Sequence, residues 1–373
     1  MGFVQLEDAY PWDALVPYSE RARAHPDGIV DLSIGTPVDP TPQVVQDALR
    51  AAADAPGYPT SGGTPQLRAA VADWFGRRRG VPGLDPDVVL PTIGSKELVA
   101  LLPSLLGLGT GDVVVVPSAA YPTYDVGARL AGAQVLVTDD VAAWASNPAV
   151  RLVWVNSPSN PTGAVAGVEQ LRGVVRAARG IGAVVASDEC YAELAWTEPW
   201  LTDGVPCLLD TRVSDGDHKN LLAVYSLSKR SNLAGYRAAF AAGDPALIAK
   251  ILLLRRHMGM MIPSPVQAAM VAALGDDAHV EAQRAVYGNR RTVLLNALTE
   301  AGYAVDHSEA GLYLWVRPAT GEGDCWAVLE RFADLGILAG PGAFYGAAAA
   351  GHVRVALTAT DERIGAAARR LTA

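Results

Sequence analysis

The chain has 373 residues, half of them apolar, and carries a formal net charge of −9 at pH 7. A chain of this length and apolar content can bury a large core and is expected to divide into two domains, which excludes disordered and fibrous proteins. Because the basic residues are scattered rather than gathered in one stripe, we expect no nucleic-acid partner.

The N-terminal segment predicts a protein without a targeting signal. Met1 to Asp13 have neither the basic start nor the apolar stretch of a signal peptide. The longest apolar stretch, near Leu98–Gly109, contains a proline and is too short to span a bilayer, so no membrane association is expected. Three cysteines without a CxxC pair favour neither a metal site nor a disulfide framework. We therefore expect a cytoplasmic location.

Residues 1–40 contain five prolines (Pro11, Pro17, Pro26, Pro37 and Pro40) and predict a loop-rich arm that packs on another part of the fold. Further along, Arg77, Arg78 and Arg79 indicate a solvated helix end.

From about Asp112 to Gly243, short β-branched runs alternate with helical stretches, which is typical of an α/β fold with a mostly parallel, doubly wound sheet. The predicted strands are Val113–Val116, Val135–Val137, Leu152–Val155, Val184–Ala186 and Leu222–Tyr225. The predicted helices are Lys96–Leu106, Thr123–Leu130, Val168–Arg179 and Pro245–His257.

The C-terminal part predicts a smaller α+β domain. Its expected elements are a helix near Val280–Ala301, a strand at Leu312–Val316, a helix near Cys325–Leu335 and a strand at Val353–Leu357. We accordingly divide the chain into an N-terminal arm that also belongs to the small domain (1–40), a large domain (41–278) and a C-terminal small domain (279–373).

Polar residues directly follow four of the predicted strands, and ligands of open α/β sheets bind at the carboxyl ends of the strands. These segments are Pro117–Tyr121, Asn156–Gly163, Ser187–Tyr191 and Ser226–Lys229. They bring an aromatic ring, an amide, a carboxylate with a phenol, and hydroxyls with a lysine to one edge of the sheet. Such a set suits a cofactor with an aromatic ring, a ring nitrogen, a phosphate and an aldehyde.

Three motifs in a fixed order make this pattern specific: Asn-Pro-Thr-Gly at 160–163, Asp-Glu-Cys-Tyr at 188–191 and Ser-Leu-Ser-Lys at 226–229, with an arginine eight positions after the lysine. On these motifs the sequence resembles the fold-type I enzymes that depend on pyridoxal 5′-phosphate (PLP), specifically the class I and II aminotransferases. The resemblance runs from Ser33-Ile34-Gly35 to Arg354. It implies the fold-type I architecture, PLP as cofactor and pyridoxamine phosphate as its intermediate form.

The resemblance also implies catalytic roles. Lys229 resembles the lysine that holds PLP as an imine and relays the substrate proton, and it alone of the four lysines follows a central strand. Asp188 resembles the carboxylate that pairs with the pyridinium nitrogen, although a strand-end aspartate can also cap a helix. Asn160 and Tyr191 resemble the pair that hydrogen-bonds the phenolic oxygen of PLP, although Asn160 also suits a turn before proline. Tyr121 is expected to stack on the cofactor ring.

The phosphate and substrate contacts follow from the same resemblance. Ser95 and Lys96, at the start of an apolar helix, form half of the expected phosphate site, and Ser226, Ser228 and Arg237 form the other half. Tyr58 resembles a tyrosine that reaches the phosphate from a partner subunit, which implies a homodimer with shared active sites. Gly35, Asn160 and Arg354 are expected at the substrate, with Arg354 clamping its α-carboxylate. A surface arginine or a simple loop glycine is the alternative at Arg354 and Gly35.

Within the family, Pro11–Pro40 and Gly94–Leu98 most resemble actinobacterial succinyldiaminopimelate aminotransferases. The resemblance implies amino transfer between glutamate/2-oxoglutarate and N-succinyl-2-amino-6-ketopimelate in lysine (diaminopimelate) biosynthesis. The alternatives are an aspartate, alanine or aromatic aminotransferase and, more distantly, a PLP-dependent carbon–sulfur β-lyase. A PLP-sensing transcription regulator is not expected, because the resemblance begins near the N-terminus.

Overall fold

The computed structural model describes residues 11–373. The first ten residues of the expected arm lie outside this range. The strands in it are β1 Val30–Asp31, β2 Val89–Ile93, β3 Val113–Val116, β4 Gln134–Val137, β5 Val150–Asn156, β6 Val184–Asp188, β7 Leu221–Ser226, β8 Ala238–Gly243, β9 Tyr303–Asp306, β10 Tyr313–Pro318, β11 Ile337–Leu338, β12 Gly340–Pro341 and β13 Val353–Ala356.

The α-helices in the same range are α1 Val16–Arg23, α2 Gln43–Ala51, α3 Pro65–Arg78, α4 Ser95–Leu106, α5 Thr123–Leu130, α6 Val168–Ile181, α7 Trp200–Asp203, α8 Thr211–Ser214, α9 Leu227–Arg230, α10 Pro245–Met258, α11 Ser264–Gly275, α12 Ala278–Glu300, α13 Cys325–Asp334 and α14 Asp361–Leu371. No helix of residues 11–373 is long and apolar enough to cross a membrane.

The segment before residue 40 is more regular than the sequence predicts. Pro11–Leu15 form a 3-10 turn that leads into α1, and Pro17 lies in the first turn of that helix, where proline is tolerated. β1 then pairs in parallel with β11 near the C-terminal end of the chain. The expectation of a mainly loop-like arm was therefore wrong for residues 11–23, because a proline that we took for a loop signal lies in the first turn of a helix.

A seven-stranded sheet forms the centre of the larger part, with the strand order β2-β8-β7-β6-β5-β3-β4. Five neighbouring strands, β7, β6, β5, β3 and β4, pair in parallel. Successive valines of β3 bury their side chains on opposite faces of the sheet, because Val113 and Val115 belong to one core and Val114 and Val116 to another. Helices cover both faces. The predicted α/β architecture with a mostly parallel, doubly wound sheet is confirmed.

Two strands of this sheet escaped the sequence analysis. β2 contains Pro91, which is tolerated because β2 lies at the edge of the sheet, and β8 is composed largely of alanine. Neither presents the β-branched run that marks the other strands. β8 runs antiparallel to both of its neighbours, so its first residue lies at the edge where the parallel strands end. This direction brings the preceding residue, Arg237, to the same edge.

The smaller part has a four-stranded antiparallel sheet with the order β12-β13-β10-β9. Helix α12 contacts β9 and α14, and α13 lies against β10 and β13, which gives the predicted α+β composition. Its core also includes Leu15, Val30 and Leu32 from the N-terminal segment. The boundaries at residues 40 and 278 stay a prediction.

The three consecutive arginines end α3 as expected, but they are not all solvated. Arg79 is 4% exposed, and its Nη2 donates to Oε2 of Glu189 at 2.8 Å. Arg78 forms ion pairs with Glu193 and Glu281, both at 2.9 Å. The expectation of a solvated helix end was therefore wrong for Arg79, because a buried carboxylate, which a charge count along the sequence does not reveal, pairs with it.

Replacing Arg79 by methionine should lower the free energy of unfolding by about 3–5 kcal/mol, because it leaves the Glu189 carboxylate buried without its cation. Urea unfolding followed by circular dichroism measures the loss. Arg50→Met is the control, since Arg50 pairs with Asp47 at an exposed position and should change stability little. Equal stability losses in the two variants would contradict the structural role of Arg79.

Candidate active site

The carboxyl ends of the parallel strands open into one cavity of about 520 Å³. Eleven of the residues singled out in the sequence line it from both parts of the fold: Ser95, Lys96, Tyr121, Asn160, Asp188, Tyr191, Ser226, Ser228, Lys229, Arg237 and Arg354. Gly35 lines the same cavity from the loop after β1. The structure thus brings these residues together in one cavity, because parallel strands bring residues that are distant in sequence to one edge of the sheet.

Lys229 lies half-buried in the short helix α9, directly after β7. Its Nζ donates a hydrogen bond to the backbone oxygen of Gly35. Burial lowers the pKa of Lys229 below its ordinary value; nearby Arg354 and Arg237 act in the same direction, while Tyr313 and Cys190 oppose them. The amine is therefore neutral, and nucleophilic, at a lower pH than a solvent-exposed lysine.

Asp188 is the last residue of β6, and its carboxylate faces the cavity. Oδ2 accepts a hydrogen bond from the Tyr124 hydroxyl at 2.9 Å, and Oδ1 accepts one from the Cys190 backbone N–H at 3.3 Å. No basic side chain of residues 11–373 forms an ion pair with it, and burial raises its pKa. A cationic ring nitrogen would supply the missing partner and reverse this shift, so Asp188 fits the ring of PLP.

The start of α4 forms a cradle for an anion. Gly94 precedes the helix with φ of 74°, and a Cβ on it would overlap the guanidinium of Arg237, so only glycine lets Arg237 lie against the helix N-terminus. Ser95 begins the helix, and Ser226 Oγ donates to Ser228 Oγ at 2.8 Å in the same cavity. Free backbone N–H groups, hydroxyls and a guanidinium together suit a phosphate dianion.

Arg354, on β13, is 3% exposed. Its Nη1 donates to Asn160 Oδ1 at 2.8 Å and its Nη2 to the Ser33 backbone oxygen at 2.6 Å. Its Nε has no hydrogen-bond partner among the described residues, although it is buried. An unpaired buried donor is unfavourable by about 1–3 kcal/mol, so this guanidinium is suited to accept an anionic ligand such as a carboxylate.

An aromatic wall closes the cavity on the side of the N-terminal segment. The Lys96 Nζ lies 5.2 Å from the centroid of the Tyr121 ring. Trp12 contacts the Tyr121 ring edge-on, with a centroid distance of 6.5 Å, and packs against Phe344 at 5.2 Å. Tyr121 thus lies in the cavity in contact with both Lys96 and Trp12.

The structure adds detail at two predicted residues, Tyr58 and Gly35. Tyr58 is 96% exposed and lies outside the cavity formed by the described residues. Gly35, expected at the substrate, also lies against Tyr313, because a Cβ on this residue would overlap the ring and hydroxyl of Tyr313. The side chain for which Gly35 leaves space is therefore one of the protein itself.

The sequence analysis missed Tyr124 and Tyr313. Tyr124 follows Tyr121 within the first turn of α5, so the strand-end rule could have included it. Tyr313 lies two residues before Trp315, which pairs directly with Arg354, so Tyr313 and Arg354 share one face of the small sheet. No local motif reveals this pairing, because it depends on which strands are neighbours.

The chain is similar to aminotransferases over nearly its full length. The family model described as aminotransferase class I and II matches residues 27–371. The chain is 57% identical over 363 residues to the 4-dedimethylamino-4-oxo-anhydrotetracycline transaminase OxyQ of Streptomyces rimosus, covering 97% of this chain and 98% of that one. It is 56% identical over 365 residues to the probable aminotransferase Rv1178 of Mycobacterium tuberculosis, covering 97% and 85%.

Matches at lower sequence identity are also aminotransferases. The LL-diaminopimelate aminotransferase of Dehalococcoides mccartyi is 33% identical over 363 residues, covering 92% of this chain and 90% of that one. A crystal structure of an aminotransferase from Neisseria meningitidis superposes with a TM-score of 0.87 at 30% identity, covering 98% and 96%.

Proposed function

The chain belongs to the class I and II aminotransferases, which have the fold-type I architecture and depend on PLP, and we propose that it transfers an amino group between glutamate/2-oxoglutarate and N-succinyl-2-amino-6-ketopimelate in lysine (diaminopimelate) biosynthesis. The observation that carries the proposal is Arg354, a buried guanidinium that lines the same cavity as Lys229 and whose Nε has no hydrogen-bond partner among the described residues. Both glutamate and the succinylated keto acid carry a carboxylate beside the reacting carbon, which this guanidinium would bind.

In this proposal the residues around the cavity hold the cofactor from several sides. Lys229 Nζ binds it covalently, Asp188 pairs with the ring nitrogen and Tyr121 stacks on the ring. Asn160 and Tyr191 bind its phenolic oxygen. When bound, the cofactor supplies an electron sink for the carbanion that forms at the substrate α-carbon.

The phosphate contacts come from both sides of the sheet edge and, we propose, from a second subunit. Ser95 and Lys96 begin α4, Arg237 lies against the N-terminus of this helix, and Ser226 and Ser228 line the same cavity. The exposure of Tyr58 supports its role as a residue that one copy of the chain supplies to the active site of a second copy in a homodimer. We also propose that the protein acts in the cytoplasm.

Lys229 also moves the proton in this scheme. With the cofactor bound, the Lys229 amine would accept the proton from the substrate α-carbon and hold it for its return to the reacting group. The lowered pKa of Lys229 suits this task, because a larger fraction of the amine is neutral near pH 7 than for an exposed lysine. Arg354 meanwhile holds the α-carboxylate and thereby orients the α-hydrogen toward the amine.

An absorption experiment tests the proposal. The purified protein is saturated with PLP, glutamate is added, and the succinylated keto acid, oxaloacetate or pyruvate follows. We expect glutamate to bleach the band of the bound cofactor and the succinylated keto acid to restore it fastest. Faster recovery with oxaloacetate or pyruvate would instead indicate an aspartate or alanine aminotransferase. Release of ammonia and pyruvate from a sulfur amino acid without any acceptor would indicate a β-lyase.

A second candidate acceptor is the ring ketone in the name of OxyQ, because the chain is 57% identical to that protein and covers 98% of it. Such a ketone has no carboxylate beside the reacting carbon, so Arg354 would serve only the amino donor. Adding 4-dedimethylamino-4-oxo-anhydrotetracycline to the glutamate-treated protein separates the two candidates. Recovery of the band with this ketone and not with the succinylated keto acid would overturn the first proposal.

Arg237→Gln should weaken cofactor retention by about 10- to 150-fold, because a charge-assisted hydrogen bond to phosphate contributes about 1.5–3 kcal/mol. Fluorescence titration of the cofactor-free protein with PLP measures the dissociation constant. Arg331→Gln, at an exposed position of α13, is the control and should bind PLP like the parent protein. An unchanged dissociation constant for Arg237→Gln would remove Arg237 from the phosphate site.

A further inference from the structure

Tyr313 lies between the residues proposed to hold the cofactor and the arginine proposed to bind the substrate carboxylate. It is 4% exposed and begins β10 in the small sheet. Its hydroxyl lies 3.1 Å from the Tyr191 hydroxyl, and the two rings meet edge-on at a centroid distance of 5.7 Å. The Arg354 guanidinium carbon lies 4.1 Å from the centroid of the Tyr313 ring. One side chain therefore contacts both a proposed cofactor residue and the proposed carboxylate clamp.

The loop after β1 is shaped around this tyrosine. Gly35 has no Cβ, which would otherwise overlap the Tyr313 hydroxyl and ring. The backbone oxygen of the same glycine accepts the hydrogen bond from Lys229 Nζ. The hydroxyl of Tyr313 and the amine of Lys229 thus both lie against Gly35, which places the two groups close to each other.

Counting the available protons shows which hydroxyl of the Tyr191–Tyr313 pair donates the hydrogen bond. A phenol has one proton to donate, so a Tyr191 hydroxyl that donates to the phenolic oxygen of the cofactor can only accept from Tyr313. A donor that itself accepts a hydrogen bond is polarised and becomes a stronger donor. The contact at 3.1 Å would therefore both orient Tyr191 and strengthen its bond to the cofactor.

We propose that Tyr313 is a positioning residue for the aminotransferase reaction: its hydroxyl donates to Tyr191 and so tunes the contact of Tyr191 with the cofactor, while its ring supports Arg354. The inference rests on the proposed function of the cavity. The hydroxyl and the ring of Tyr313 have separate roles in this proposal, because the hydroxyl acts through Tyr191 and the ring acts through Arg354.

The test is the pH titration of the absorption band of bound PLP in Tyr313→Phe, which keeps the ring and removes the hydroxyl. Donors to the phenolic oxygen favour its anionic form, so weakening the donation from Tyr191 should raise the pH midpoint of the absorption band by about half to one unit. The KM for glutamate should stay within about twofold, since the ring still supports Arg354, while kcat falls by about two- to tenfold.

Two further variants make the test specific. Tyr345→Phe is the matched control, because Tyr345 is also buried beside Arg354 at 5.1 Å but its hydroxyl has no hydrogen-bond partner among the described residues. The pH midpoint of the PLP absorption band in Tyr345→Phe should equal that of the parent protein. In Tyr191→Phe, adding Tyr313→Phe should shift the midpoint no further, because the hydroxyl of Tyr313 acts through Tyr191.

The outcomes distinguish this inference from the proposed function. A midpoint in Tyr313→Phe equal to that of Tyr345→Phe overturns the inference, and so does a full shift that persists in the Tyr191→Phe background. Both results leave the glutamate response of the parent protein intact. If the parent protein with PLP shows no band that glutamate bleaches, the proposed function fails, and the role of Tyr313 fails with it.

Discussion

Lys229→Ala is expected to lower kcat with glutamate by at least about a hundred- to ten-thousand-fold, the range that a positioned proton-transfer group supplies. The physical reason is that, within residues 11–373, no other lysine lines the cavity except Lys96, which lies against the ring of Tyr121. Single-turnover absorption with glutamate measures the loss. Lys250→Ala is the control, because Lys250 lies exposed on α10 and donates to the backbone oxygen of Leu106.

The same variant has a second readout that does not depend on turnover. Borohydride reduction of the protein with PLP, followed by mass spectrometry of peptides, should find the cofactor on Lys229 in the parent protein and on no specific lysine in Lys229→Ala. Turnover near the parental rate in Lys229→Ala, or labelling of Lys96 in the parent protein, would contradict the assignment.

The lowered pKa of Lys229 gives this prediction a pH dependence. An amine reacts with an aldehyde in its neutral form, and a lowered pKa means that the neutral form persists to lower pH. The rate at which the cofactor-free protein captures PLP should therefore reach half its maximum below the ordinary lysine value. Stopped-flow absorption from about pH 6 to about pH 11.5 measures the profile. A midpoint at or above the ordinary value would show that burial does not act on this amine as the structure indicates.

The parallel part of the fold was predictable because its signals are local. β3 consists of four consecutive valines and is followed directly by the segment that ends in Tyr121, so both the strand and its functional end could be read from the chain. The same holds for β6 with Asp188 and for β7 with Lys229. Each of these residues needs only one strand and the known direction of parallel strands to be placed at the site.

The unpredicted features depend on contacts between segments that are distant in sequence. Arg79 is buried because Glu189 lies beside it, and Gly35 is small because Tyr313 fills the space. β8 is an alanine-rich strand that packs between β2 and β7, and its direction alone delivers Arg237 to the site. A sequence pattern reports the preference of a segment, whereas these placements depend on which segment becomes its neighbour.

Arg354→Lys is expected to lower kcat/KM for glutamate by about 30- to several thousand-fold, since losing one partner of a buried charged contact typically costs about 2–5 kcal/mol. The guanidinium donates at once to Asn160 and to the Ser33 backbone oxygen and retains an unpaired Nε. An ammonium is a compact charge on a flexible stem and cannot reproduce that planar geometry. Most of the loss should appear in KM, because the carboxylate contact is made in the ground state as well.

The Arg354→Lys variant also distinguishes the two candidate acceptors. Arg317→Lys, on the neighbouring strand β10, is the control, because Arg317 pairs with Asp306 outside the cavity and should leave kcat/KM unchanged. If the acceptor is an α-keto acid, Arg354→Lys should slow the glutamate and acceptor half-reactions to a similar degree, since both substrates place a carboxylate at the same guanidinium. If the acceptor is instead a ring ketone, only the glutamate half-reaction should slow. Equal kinetics in Arg354→Lys and Arg317→Lys would show that the carboxylate binds elsewhere, and the unpaired Nε would then no longer support an α-carboxylate site.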